Sequence, residues 1–203
     1  MSRESDFYLR RLHSLLGIIP VGLFVAQHLV INHFATRGEE AFNTASNFMG
    51  NLPFVLFLEW FIIYIPLMFH AFYGLYIAFT AKNNVQRFGT FRNWMFMLQR
   101  STGVFLVIFI AWHIYETRIQ KALGAEVDFN MMANILENPF MLAFYIAGVL
   151  AATFHLSNGL WSFLVTWGLA QSPRSQTIVS YVTIAVFLVL STIGVQALLA
   201  FVV

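Results

Sequence analysis

The chain has 203 residues, of which 59% are hydrophobic and only 10% are charged. A water-soluble domain of this length does not need so much apolar surface, so the composition predicts a protein whose solvent is the lipid bilayer. The formal net charge of +2 is too small to indicate nucleic-acid binding, and the absence of cysteine excludes disulfides, thiolate-held iron–sulfur clusters and covalently attached c-type haem.

Five apolar segments are long enough to cross a bilayer as helices, which takes about 20 residues each. In chain order they cover residues 12–34, 53–81, 94–115, 139–167 and 178–201. The polar start at 1–11 is followed by a run long enough to span, so we expect a retained helix and not a cleaved signal peptide. The sequence therefore predicts an all-α integral membrane bundle of five transmembrane helices, forming one domain over residues 1–203.

The basic residues predict how these helices are oriented, because lysine and arginine are enriched on the cytoplasmic side of membrane proteins. Three basic residues lie at the opposite end of the predicted bundle: Arg37, Arg118 and Lys121. Eight lie at the N-terminal end of the bundle: Arg3, Arg10, Arg11, Lys82, Arg87, Arg92, Arg100 and Arg174. This asymmetry predicts a cytoplasmic N-terminus and a C-terminus outside.

The first four predicted spans each contain one of four histidines: His28, His70, His113 and His155. An ionisable side chain at membrane depth is costly and indicates a functional site. Measured from the cytoplasmic ends at about 1.5 Å per residue, His28 and His113 lie about 24 and 28 Å up, and the other two about 17 Å. This predicts an outer pair, His28 with His113, and an inner pair, His70 with His155, which is the arrangement that two six-coordinate haem irons need.

A weak internal repeat accompanies the histidines. The pattern His-x-x-x-Gly-Leu occurs at 70–75 and again at 155–160, which places Gly74 and Gly159 one helical turn from a histidine on the same face. A glycine there lets a flat macrocycle or a neighbouring helix approach closely. Two further glycines precede the other histidines: Gly17 lies before His28, and Gly103 lies before His113.

Two other interpretations of the histidines remain open. A single membrane histidine can hydrogen-bond a neighbouring helix or relay protons, as in a transporter or scaffold, and such a protein would show no haem absorbance. A di-zinc or di-iron site would require carboxylates beside the histidines. Glu59 is the charged residue clearly inside a span, and it lies about three turns from His70.

Residues at the predicted cytoplasmic edge are candidates for contacts with haem carboxylates. His13 and Ser14 lie at this edge, and Arg11 and Arg100 can neutralise propionates there. His33 lies at the opposite edge, and for both edge histidines an interfacial or capping role is the simpler interpretation.

Several stretches give the whole chain a resemblance to a known family. They are residues 11–14, 32–38, 92–94 and 99–103, together with His28, His70, Gly74, His113, His155 and Gly159. The chain resembles the cytochrome b membrane-anchor subunits of succinate dehydrogenase, of the five-helix, di-haem type found in menaquinone-using bacteria. Related fumarate reductase subunits share this plan.

The resemblance implies a bacterial cytoplasmic membrane protein with two haem b groups. A flavoprotein subunit oxidises succinate, so the dicarboxylate site lies on a partner, and an iron–sulfur subunit delivers electrons to the inner haem. The outer haem passes them to menaquinone, for which Glu59, His33 and Arg37 are the candidate binding residues. The alternative is a subunit of a quinol:fumarate reductase or of another di-haem, quinone-linked electron carrier.

Overall fold

The computed structural model describes residues 3–82 and 84–202. Within these residues, five helical segments are long and apolar enough to cross a membrane, which confirms the predicted all-α fold. They cover Glu4–Arg37, Val55–Thr80, Phe91–Ala122, Pro139–Thr166 and Pro173–Ala200. Arg3 belongs to the first helix, but its side chain lies outside the described part of the chain.

The first span begins earlier than the apolar run predicts and consists of two helices. They are α1, Arg3–Ile18, and α2, Pro20–His33, followed by a 3-10 turn at Phe34–Arg37. Pro20 occupies the start of α2 because it has no N–H to donate to α1, which ends the α1 hydrogen-bond ladder at this point. The polar residues of α1 extend the helix beyond the apolar segment.

The second and third spans each contain a π-helical segment. The second comprises α4, Val55–Leu58, the π segment Glu59–Tyr64, and α5, Ile65–Thr80. The third comprises α6, Phe91–Ile114, the π segment Tyr115–Ile119, and α7, Gln120–Ala122. Short π segments inside α-helices occur frequently at functional sites, because the extra residue per turn redirects the side chains.

Two short helices lie in the connections on the predicted outer side. The pattern of apolar segments does not predict them. They are α3, Glu39–Gly50, and α8, Phe129–Leu136, which begins where the Asp128 side chain accepts a hydrogen bond from the Met131 backbone N–H. Phe42 of α3 and Phe129 of α8 both pack against Phe201, with ring centroids 5.0 and 4.9 Å away. These contacts fix the connections to the C-terminal end of the bundle.

The last two spans are long single helices, α9, Pro139–Thr166, and α10, Pro173–Ala200. Helix α9 is central, since it packs against α1, α6, α8 and α10. In its interface with α10, Thr153 and Ser191 share a buried hydrogen bond of 2.8 Å. Large apolar side chains face outward around the bundle, as a lipid-exposed surface requires: Leu23, Phe61, Phe72, Ile108, Tyr181 and Leu188.

Candidate functional site: two histidine pairs

The structure brings the four span histidines together as two pairs. His70 of α5 and His155 of α9 have ring centroids 6.1 Å apart, with their planes nearly perpendicular at 87°. His28 of α2 and His113 of α6 have centroids 5.8 Å apart at 73°. These are the same pairs that depth along the helices predicts, and each pair joins two different helices.

The inner pair is oriented by the protein backbone. The Nδ1 atom of His70 lies 3.0 Å from the carbonyl oxygen of His13, and the Nδ1 atom of His155 lies 3.0 Å from that of Gln99. A carbonyl oxygen can only accept, so each Nδ1 carries the proton and donates it. Each Nε2 is then the unprotonated nitrogen, which is the usual arrangement in a metal-binding histidine.

Two glycines leave room beside these inner rings. A Cβ atom added to Gly17 would overlap the ring of His70, and one added to Gly103 would lie 3.0 Å from Cε1 of His155. Gly17 belongs to α1 and Gly103 to α6. Each of these helices therefore places a glycine against the ring of one inner histidine. Any larger residue would displace the imidazole.

The repeat glycines predicted as cofactor contacts face two polar side chains. A Cβ on Gly74 would lie 3.1 Å from Nε2 of His13, and one on Gly159 would lie 3.3 Å from Nε2 of Gln99. Sequence reasoning missed Gln99, although Gln99 precedes Gly103 by four residues as His13 precedes Gly17. That spacing was the available signal.

The side of the inner pair that faces α1 contains polar atoms that lack a partner among the described residues. The His13 ring stacks on His70 at 4.1 Å with an angle of 6°, and its Nε2 is buried without a hydrogen bond among the described residues. One terminal nitrogen of Arg11 is also buried without a hydrogen bond among the described residues. The Arg11 guanidinium lies 5.3 Å from the centre of the Trp167 ring. Buried polar atoms without partners are costly, and the Arg11 nitrogen can only donate, so this region is suited to a ligand with acceptor oxygens.

The other two predicted propionate residues already have protein partners. Ser14 Oγ donates to the Arg11 carbonyl at 3.0 Å and accepts from Nε1 of Trp167 at 3.0 Å. Arg100 donates to the carbonyl oxygen of Ala81 at 2.6 Å.

The outer pair borders a cavity of about 710 Å³. Both His28 and His113 line it, together with the surface helix α3 and the start of the second span. The Asn32 side chain donates to the His28 carbonyl at 2.8 Å and lies 3.4 Å from its Nε2. The cavity therefore connects a pair of imidazoles with a space large enough for an organic ligand.

Glu59 lines this cavity and forms an ion pair there with Arg118. Its Oε2 lies 2.7 Å from one terminal nitrogen of Arg118 and 3.2 Å from its Nε, and the two side chains are 22% and 32% exposed. Each residue belongs to one of the two π segments, which turn both side chains toward the same space. The distribution of basic residues predicts Arg118 on the outer side, but nothing in the sequence predicts its ion pair with Glu59.

The other two predicted quinone residues lie elsewhere. Nδ1 of His33 contacts the carbonyl oxygen of Ile193 at 3.1 Å, and the Arg37 guanidinium lies 5.1 Å from the Phe34 ring. Neither residue is among the described side chains that line the cavity beside the outer pair.

The arrangement favours haem over a metal site built from protein ligands alone. Within residues 3–82 and 84–202, no three histidine or carboxylate side chains come together as a metal-binding group. Two isolated imidazoles on opposite sides are what a macrocycle-held iron needs, since the porphyrin supplies the remaining four ligands.

Comparison with known proteins decides the family. Residues 82–194, more than half of the chain, match the family described as the succinate dehydrogenase/fumarate reductase transmembrane subunit. The chain is also 60% identical, over the full length of both proteins, to the succinate dehydrogenase cytochrome b558 subunit of Bacillus subtilis. The chain belongs to this family. A shorter stretch of 63 residues is 40% identical to the succinate dehydrogenase hydrophobic membrane anchor subunit of Thermoplasma acidophilum, covering 30% of this chain and 50% of that protein.

Family membership and the five apolar spans together establish a multi-pass subunit of the bacterial cytoplasmic membrane. The predicted fold, membrane location and family are confirmed.

Proposed function

We propose that this chain anchors a succinate dehydrogenase to the membrane, binds two b haems, and carries electrons from an iron–sulfur partner subunit to menaquinone. The observation that carries the proposal is the presence of two imidazole pairs, each shared between two helices, at centroid separations of 6.1 and 5.8 Å. Succinate is oxidised on a flavoprotein subunit, and both soluble subunits dock on the cytoplasmic side, where the N-terminus lies.

His70 and His155 hold the inner haem. Their Nδ1–H groups are fixed on backbone carbonyls, which would leave each Nε2 free to bind the iron. Gly17 and Gly103 keep side chains away from the rings, and Gly74 and Gly159 leave room for the side chains of His13 and Gln99 one turn further along α5 and α9.

The partnerless Arg11 nitrogen is a donor, and Nε2 of His13 is one in the tautomer that carries its proton there, so both would fit the propionates of this inner haem. Ser14 extends this polar patch through its hydrogen bond to Arg11. Arg100 would join the patch after exchanging its backbone partner for a propionate.

His28 and His113 hold the outer haem, with the adjoining cavity as the space for menaquinone. Bound haem supplies one-electron carriers at two depths of the bilayer. The residues of the chain fix the ligand nitrogens, exclude lipid and handle protons.

Quinone reduction consumes protons, and Glu59 is placed to supply one. Glu59 lines the cavity and its Oε2 is held by Arg118, so a proton taken up by the other carboxyl oxygen can be passed to a quinone oxygen within reach. His33 and Arg37 remain candidates for a proton path between the outer surface and the cavity, which neither of them lines.

Redox-resolved optical spectra of the purified complex test this proposal. We expect two b-type components in the wild type, loss of one in His28→Ala or His113→Ala, and loss of the other in His70→Ala or His155→Ala. His33→Ala is the matched control and retains both, because His33 contacts a backbone carbonyl away from both pairs. A colourless wild-type protein, or loss of the same component in all four variants, would overturn the proposal.

The family also includes fumarate reductase subunits, so the working direction is a second question for the same complex. Rates of succinate oxidation by menaquinone and of fumarate reduction by menaquinol, measured on one preparation, identify the favoured direction.

A further inference from the structure

The four paired histidines differ in what their second ring nitrogen contacts. The inner residues, His70 and His155, donate to neutral backbone carbonyls. His155 Nδ1 also lies 3.3 Å from the hydroxyl of Thr102, which is uncharged and itself bonds to backbone carbonyls. His113 of the outer pair instead has its Nδ1 3.4 Å from the hydroxyl oxygen of Tyr145, a residue of α9. A hydroxyl partner can itself be hydrogen-bonded to a charged group and so link the imidazole to that charge. A backbone carbonyl does not donate a hydrogen bond and makes no such link.

Tyr145 connects His113 to a carboxyl group. Its side chain is only 2% exposed, and its hydroxyl donates to Oε2 of Glu116 at 2.8 Å. A hydroxyl has a single proton, so the oxygen of Tyr145 is left to accept from the Nδ1–H of His113. The hydrogen bonds therefore run in one direction, from His113 to Tyr145 to Glu116, and they leave Nε2 of His113 for the iron.

Packing holds this chain of hydrogen bonds in place. The Phe109 ring is nearly parallel to His113 at 6.1 Å and meets Tyr145 edge-on at 5.5 Å. Gly148 backs the same ring so closely that a Cβ atom there would overlap it. The relative positions of His113 and Tyr145 are thus fixed by their neighbours.

We propose that Tyr145 and Glu116 are positioning residues that lower the reduction potential of the outer haem through His113. This inference rests on the proposed function. A carboxyl group that accepts, through the tyrosine hydroxyl, from a ligand imidazole makes that imidazole a stronger electron donor. A stronger donor stabilises ferric over ferrous iron, and second-shell hydrogen bonds are among the main controls of haem potential. The inner haem, whose ligands donate to peptide carbonyls, has no such contribution from these residues.

Optical redox titration of both haems in the intact complex tests the inference. In Tyr145→Phe, which removes the hydroxyl without changing charge, we expect the outer haem's ferric-to-ferrous ratio at a fixed potential to fall about tenfold, an upward shift of about 59 mV for one electron. The inner haem keeps its potential. Glu116→Gln shifts the outer haem in the same direction.

Tyr73→Phe is the matched control. The Tyr73 hydroxyl also donates to a carboxylate, Asp6, at 3.1 Å, and its ring lies against His13. It has the same chemistry as Tyr145 in another part of the bundle, so the outer haem potential stays at its wild-type value in this variant.

An outer haem potential unchanged in Tyr145→Phe, or equal shifts of both haems, would overturn the inference. If Tyr145→Phe loses the outer haem, Glu116→Gln decides, and an unchanged potential there has the same meaning. Failure of the proposed function looks different, because His113→Ala would then leave both b-type components in place.

Discussion

A partner for one ring nitrogen fixes the tautomer of a membrane-buried imidazole and leaves the other nitrogen for iron. His70 and His155 have such partners in backbone carbonyls, and His113 has one in Tyr145. Glu59 shows the same principle for a carboxylate, because its ion pair with Arg118 offsets part of the cost of placing charge at this depth. In each of these cases, the role of the side chain depends on its hydrogen-bond or ion-pair partner as well as on its own chemistry.

Replacing Glu59 by glutamine tests its role as a proton donor. We expect succinate:menaquinone turnover to fall by about 10²-fold, since a positioned acid or base contributes 10²–10⁴-fold, while both haem spectra persist. Glu39→Gln is the control. Glu39 accepts a hydrogen bond from Asn130 at 2.9 Å, between α3 and α8, so we expect this variant to keep wild-type turnover. Wild-type turnover in Glu59→Gln would remove this carboxylate from the mechanism.

The elements that matter most are the glycine-bearing faces of α1 and α6. Both helices place a glycine against an inner histidine and a polar residue four positions earlier against a second glycine. This gives the two halves of the bundle a common local geometry, although the first half builds it from α1 and α5 and the second from α6 and α9. The π segments then interrupt the second and third spans where the outer cavity lies.

Substituting Gly17 by valine tests the close approach at the inner pair. The new side chain would overlap the His70 ring, so we expect loss of the inner haem and retention of the outer one in optical spectra. Gly89→Val is the control, since the nearest atom to a Cβ there is 3.8 Å away. Retention of both b-type components in Gly17→Val would show that this approach is not needed.

Across the whole molecule, the two histidine pairs and the outer cavity follow one another along the bundle. In the proposed orientation, with a cytoplasmic N-terminus, electrons would move outward to a menaquinone that takes its protons from the outer side. Succinate is a weak reductant for menaquinone, and charge movement across the full membrane is worth about 2.3 kcal/mol per charge per 100 mV. We therefore propose that the membrane potential assists succinate oxidation in this direction.

Adding an uncoupler to sealed membranes tests that coupling. We expect succinate:menaquinone turnover to slow when the potential collapses, because the outward electron movement loses its assistance. Succinate oxidation with a soluble acceptor that takes electrons before they reach the membrane serves as the control and keeps its rate. Equal menaquinone turnover with and without uncoupler would contradict the expected geometry.

The sequence alone determined the five spans, the all-α fold and the grouping of histidines. Each of these depends on local properties: the length of an apolar run, the spacing of residues on one helix, and depth along it. His28 and His113 are 85 positions apart, yet their depths were sufficient to predict that they meet. The repeat also placed Gly74 and Gly159 beside histidines without any tertiary information.

Only the tertiary structure decided which polar groups face one another. Arg118 meets Glu59 from 59 positions away, and Tyr145 meets His113 from 32, because the crossing and rotation of packed helices select these contacts. The rotation of a helix about its axis depends on the complete set of packed side chains. This rotation decides whether a side chain lines the cavity or points elsewhere. A pattern along one helix contains no such information, which is why His33 and Gln99 could be assigned only after the helices were packed.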